Sequence, residues 1–239
     1  MLVRATIGHR RPGLGIQLSI SMRFIDELRA EHDLIDRVAG SFRTFADRPG
    51  AVDVEDLGRF LRFFRLYAGD FHHAREEHVL FPALVEQAHL PGDRGPLAVL
   101  TDDHRRMSGQ LGEMERLLEC NLALDVNRAG LSRTANDYTR ALQHHINAEN
   151  SVLFPESEAR LRKQGVRELQ GQEPGLEQTA AQQAAEDLLL RYPPSSDAAA
   201  IRGDGCVLCP AMGDTCGGLE SEWWNEWEWE EFEDHLPSG

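Results

Sequence analysis

From Phe24 onward, apolar side chains recur at steps of three and four with charges between them, the pattern of amphipathic helices. Leu28, His32, Ile35 and Phe42 form a first stripe that ends near Arg48-Pro49-Gly50. Asp53 stands where it can cap a second helix, whose stripe is Leu57, Leu61, Phe64, Ala68, His72, Glu76, Val79 and Ala83. After Pro91-Gly92, a third stripe runs Leu97, Leu100, His104, Met107, Leu111, Met114 and Leu118. The fourth holds Leu131, Ala135, Tyr138, Leu142, His145, Glu149 and Val152 and reaches about Gln164-Gly165. Four such helices with short connections predict an all-α, up-down-up-down four-helix bundle over residues 22–165, followed by a C-terminal extension. Residues 166–194 contain an additional helix, from about Glu173 to Arg191, stopped by Pro193-Pro194. Residues 195–239 read as a linker and tail. Residues 1–21 read either as a disordered extension or as a stretch upstream of a true start at Met22.

The stripes carry an internal repeat. His72 to Pro82 matches His145 to Pro155 in register, each with His, a Glu four residues later, and Leu-Phe-Pro. The separation His32 to His72 is 40 residues, and His104 to His145 is 41. Two helical hairpins related by a pseudo-two-fold axis follow from this.

Each apolar stripe is therefore interrupted by one histidine, and two of these have a glutamate one helical turn on, on the same face. A single core histidine is usually a satisfied polar group. Four of them with two carboxylates are another matter, because buried carboxylates are costly unless paired or metal-bound. Neutral imidazoles supply no positive charge, whereas two divalent cations do. The predicted metal ligands are His32, His72, Glu76, His104, His145 and Glu149. Adjacent residues diverge by roughly 100° on an α-helix, so the stripe selects His72 over His73 and His145 over His144. His73, His144, Glu77 and His78 are expected behind the ligands or in solvent. Mixed imidazole and carboxylate ligation suits iron, manganese or zinc, and iron is expected. So few protein donors for two ions leave positions for oxygen, peroxide, nitric oxide or water. Tyr138, on the stripe of His145, is expected either in core packing or beside the metals.

These motifs resemble the hemerythrin-like, or HHE cation-binding, domain over roughly residues 22–164. The residues that carry the resemblance are Glu31-His32-Asp33, His72-His73-Ala-Arg-Glu76-Glu77 with Leu80-Phe81-Pro82, His104, and His145 to Glu149 with Leu153-Phe154-Pro155. The resemblance implies a left-twisted bundle around two iron ions, an Fe-O-Fe centre bridged by two carboxylates and an oxo or hydroxo group. Oxygen-carrying members have a fifth histidine where this chain has Ser108, and an aspartate at plus five where this chain has Glu149 at plus four. Both departures place the chain nearer the bacterial four-histidine, two-glutamate members, some of which act in iron-sulfur cluster repair and nitric oxide stress. Those repair proteins usually carry a cysteine-containing domain before the bundle, which this sequence does not show.

The formal net charge of −15 argues against nucleic acid as a partner. Eight of the acids lie between Glu220 and Asp234, in a segment that also holds all four tryptophans, Trp223 to Trp229. Aromatic anchors ringed by acids suit docking on a basic, apolar groove of a protein partner or on the bundle itself. Cys206, Cys209 and Cys216 offer three of the four thiolates that zinc or an iron-sulfur cluster usually takes, with His235, Asp204 or Cys120 as a fourth ligand. A metal-free redox thiol cluster is the equal alternative. The cysteine pattern is not that of a disulfide-stapled secreted domain, and no membrane-spanning run is present, so a cytoplasmic location is expected. The leading functional expectation is a di-iron protein that binds or reduces oxygen, peroxide or nitric oxide, with oxidoreductase or peroxidase-like turnover open. The alternative is an iron, oxygen or redox sensor whose tail docks on a partner.

Overall fold

The computed structural model of the 239-residue chain describes residues 22–120 and 125–194. They are all-helical and contain no strand. Helix α1 spans Arg23–Ala46. Helix α2 runs without a break from Val54 to Glu86, α-helical over Val54–Phe63, π-helical over Phe64–His73 and Glu76–Leu80, and α-helical again over Phe81–Glu86. Helix α3 is Gly95–Leu117. Helix α4 starts as Asp125–Ala148, passes through a π-helical turn at Glu149–Leu153 and ends as Phe154–Lys163. A last helix, α5, spans Leu176–Arg191.

Local chemistry sets these boundaries. The Asp53 carboxylate accepts from the backbone N–H groups of Glu55 and Asp56 and so caps α2, as the sequence predicts. Helix α4 closes at Gly165, whose φ of 83° lets the chain turn back. There Val166 N–H reaches the carbonyl of Leu161 at 2.9 Å. The two Leu-Phe-Pro repeats place Pro82 and Pro155 at the start of an α-helical segment just after a π turn, so each proline falls where the hydrogen-bond ladder is already reset.

Helices α1 and α3 both pack on α4, and α2 closes the ring against α1 and α3, which gives the bundle the sequence implies. Its interior is two apolar clusters. One is rich in aromatic rings, including Phe42, Phe60, Phe64, Tyr67 and Tyr138. The other gathers Phe24, Leu28, Leu80, Phe81, Leu153 and Phe154. No described helix is long and apolar enough to cross a membrane.

Helix α5 covers the aromatic end of α1 and α2, burying Ala181, Ala185, Leu188 and Leu189. Its C-terminus is pinned by Asp56, a carboxylate buried to 1 % exposure. Asp56 accepts two hydrogen bonds from Arg191 at 3.0 Å and one from the Tyr192 hydroxyl at 2.8 Å. Ser41 donates to the Tyr192 carbonyl at 2.6 Å. Removing the hydroxyl leaves the buried acid short of a donor. Tyr192→Phe is expected to lower stability by about 1.5–3 kcal/mol, measured by urea unfolding, without changing the metal content of the folded protein.

Candidate metal centre

Between the two apolar clusters lies a buried polar layer. The carboxylates of Glu76 and Glu149 are 0 % exposed and all four of their oxygens lack a hydrogen-bond partner. Burial and their mutual proximity push the Glu76 carboxyl well above its ordinary range, and burial does the same for Glu149. Around them stand His32, His72, His73, His104 and His145, all buried. Burial holds the imidazoles of His72 and His73 well below the usual histidine range and lowers that of His145 to about 3, so these rings are neutral.

The donor atoms converge as two groups. His32, His72, Glu76 and Glu149 offer atoms within 4.8 Å of one another, and so do His73, Glu76, His104 and His145. Glu76 belongs to both groups. One of its oxygens lies 3.5 Å from His72 Nε2 and the other 3.5 Å from His104 Nε2. Glu149 spans the same gap, with one oxygen 3.2 Å from both His32 Nε2 and His145 Nε2. His104 Nε2 faces His145 Nε2 at 3.0 Å. The Nε2 atoms of His32, His72 and His73 are buried without any hydrogen-bond partner. Unpartnered lone pairs and two anions in a dry core are the donor set that a pair of divalent cations completes. The residues present therefore fit a two-metal site.

A second ring of side chains aims these imidazoles. Asn150 Oδ1 accepts from His32 Nδ1 at 2.9 Å, Glu31 from His72 Nδ1 at 2.8 Å, and Glu77 from His104 Nδ1 at 2.7 Å. Asp103 lies 3.6 Å from His145 Nδ1, just beyond hydrogen-bond distance. A proton held on the outer nitrogen leaves the inner Nε2 lone pair free for a cation. Glu31 is itself held by Arg75, which also binds Glu27. Burial raises the Glu31 carboxyl to about 7 despite that guanidinium.

The structure brings together all six residues read from the stripes, and adds His73. That ring, expected behind the ligands, stacks on His104 with centroids 3.9 Å apart and offers a donor atom to the same group. The physical reason is the π-helical stretch Phe64–His73. A wider helical turn rotates adjacent residues apart by less than the α-helical angle, so both members of His72-His73 face the layer. His144, on an α-helical stretch, is exposed, and so is His78. Tyr138 packs edge-on against Phe64 at 5.0 Å within the aromatic cluster, and burial raises its phenol. Cys120 is exposed. Cys206, Cys209, Cys216 and the tryptophan segment lie outside the described residues. Sequence reading did not foresee the roles of Glu31, Asp103 and Asn150, although each is adjacent to a ligand in sequence, because each stands beside a ring on another helix across the bundle.

Comparison with known families agrees with this geometry. The family model for the hemerythrin HHE cation-binding domain matches residues 23–171, more than half of the chain. The chain belongs to that family. No curated protein and no solved structure matches it.

Because the buried carboxylates are uncompensated without cations, chelation of the metal is expected to lower the melting temperature. In the chelated chain, Glu149→Leu should raise stability by about 1–4 kcal/mol relative to the unsubstituted chelated chain, while abolishing the gain on adding metal back. Differential scanning calorimetry with and without metal checks both signs.

Proposed function

We propose that the buried layer holds two iron ions and that the protein binds or reduces a small oxidant: oxygen, peroxide or nitric oxide. The observation that carries this reading is Glu76 reaching both donor groups, which makes one paired site rather than two separate ones. Glu76, common to both donor groups, and Glu149 beside it would hold the pair together, with His32 and His72 toward one ion and His73, His104 and His145 toward the other. His73 thus supplies the imidazole that Ser108 does not. Five imidazoles and two carboxylates cannot fill two octahedral shells, so positions remain for an exogenous ligand. A ferrous pair, when bound, supplies two electrons, which with two protons convert hydrogen peroxide into two waters. The protein's part is to keep the pair together, to aim the imidazoles at it through Asn150, Glu31 and Glu77, and to shield it with the two apolar clusters.

Anaerobic mixing of the ferrous-loaded chain with peroxide tests the reading. The expected stoichiometry is one peroxide consumed per two irons oxidised, with repeated cycles when a chemical reductant is present. Oxidation no faster than that of free ferrous ion would overturn it. His73→Ala is expected to weaken binding of one iron by about 10- to 100-fold, leaving a chain with near one iron after dialysis. His144→Ala, on the exposed side of the same kind of His-His pair, should retain both, as read by elemental analysis.

A further inference from the structure

The rings of the layer are not backed alike. Asn150, a neutral amide, stands behind His32. Glu77 and Asp103, the acids facing His104 and His145, are half-buried and so partly solvated. Glu31, behind His72, is buried to 7 % exposure, so its charge needs a partner within the protein. That partner is Arg75, three residues after His72 on α2 and itself buried. One oxygen of Glu31 accepts from Arg75 and the other from His72 Nδ1.

The guanidinium has little freedom. It also donates to Glu27, at 2.6 Å. It lies 4.7 Å from the centre of the Phe24 ring and 5.3 Å from that of Phe71. From outside, the chain after α4 closes on it: a Cβ on Gly171 would stand 2.7 Å from Arg75 Nε and closer still to the Phe24 ring. A guanidinium offers only N–H groups, so a guanidinium fixed in place accepts only an oxygen of residue 31 as its partner. The other end of that side chain is then presented to His72.

We propose that Arg75 is a positioning residue of the layer. By claiming one oxygen of Glu31 it turns the other to His72 Nδ1, and so keeps His72 Nε2 unprotonated and facing inward. The consequence for metal rests on the two-metal reading given above, whereas the orientation of the ring does not.

Ring-nitrogen NMR of the chelated full chain, with isotope-labelled histidine, reads the tautomer of His72. The unsubstituted chain is expected to carry the proton on Nδ1 and none on Nε2. In Glu31→Gln, Arg75 still takes the oxygen, so the amide NH2 faces His72 and the ring should switch to the Nε2–H tautomer. In the double variant Glu31→Gln/Arg75→Met the amide is free to turn its oxygen to the ring, and the Nδ1–H tautomer should return. This double variant removes both charges of the buried pair and keeps an unbranched apolar side chain against Phe24 and Phe71, which favours folding. An Nδ1–H ring in Glu31→Gln, or an Nε2–H ring in the double variant, would overturn the proposal. Zinc titration against a competing chromophoric chelator gives a second readout. Glu31→Gln is expected to weaken one of two zinc ions by about 10- to 100-fold, and adding Arg75→Met should recover at least part of that loss. Recovery on removing a further side chain is not what damaged packing produces, and equal loss in both variants would contradict the proposal. No zinc binding in any variant, with the tautomers as expected, would instead sink the two-metal reading and leave the positioning role intact.

Discussion

Two carboxylates in a dry helical core govern this structure. Glu76 and Glu149 are fully buried, side by side, and none of their oxygens has a hydrogen-bond donor. Ionised and alone, such a pair is not tolerated, and the neutral imidazoles of His72, His73 and His145 beside it do not help. Everything nearby is arranged as if for positive charge in the middle of the layer. Nε2 atoms point in, acids and an amide hold the outer nitrogens, and apolar clusters above and below keep water away. The same cations that satisfy the carboxylates would staple all four bundle helices together, since His32, Glu76, His104 and Glu149 come from one helix each. Folding and metal binding are coupled in such a design.

The layer also explains the shape of the helices. Each of the two His-Glu repeats passes through a π-helical turn at its glutamate. On α2 the widening begins about three turns earlier, at Phe64, and carries both His72 and His73 into the layer. The repeat is thus imperfect where it matters. On α4, His144 stays outside, and the two donor groups hold unequal numbers of imidazoles. Arg75 and the segment around Gly171 close the side with fewer.

Much of this was legible in the sequence because stripes of three and four record which face of a helix is buried. They gave the four helices, the Asp53 cap, the stop at Gly165 and six of the seven residues that now face one another. His73 was not legible, since the stripe assumes α-helical winding and the chain departs from it just there. Outer partners such as Glu31, Asp103 and Asn150 were hidden for a different reason. Glu31 follows the helix of His32 but serves His72 across the bundle, and one-dimensional spacing says nothing about such crossings. The seat of α5 was equally hidden, because Asp56 looks like one more acid in a first turn until Arg191 and Tyr192 reach it.

Anomalous X-ray diffraction at the iron edge, from crystals of the iron-loaded chain, tests the central claim most directly. The account predicts two peaks in the buried layer, roughly 3.5–4 Å apart, with Glu76 reaching both and His73 on the same peak as His104 and His145. A single peak, or no peak with the layer filled by ordered water, would contradict it.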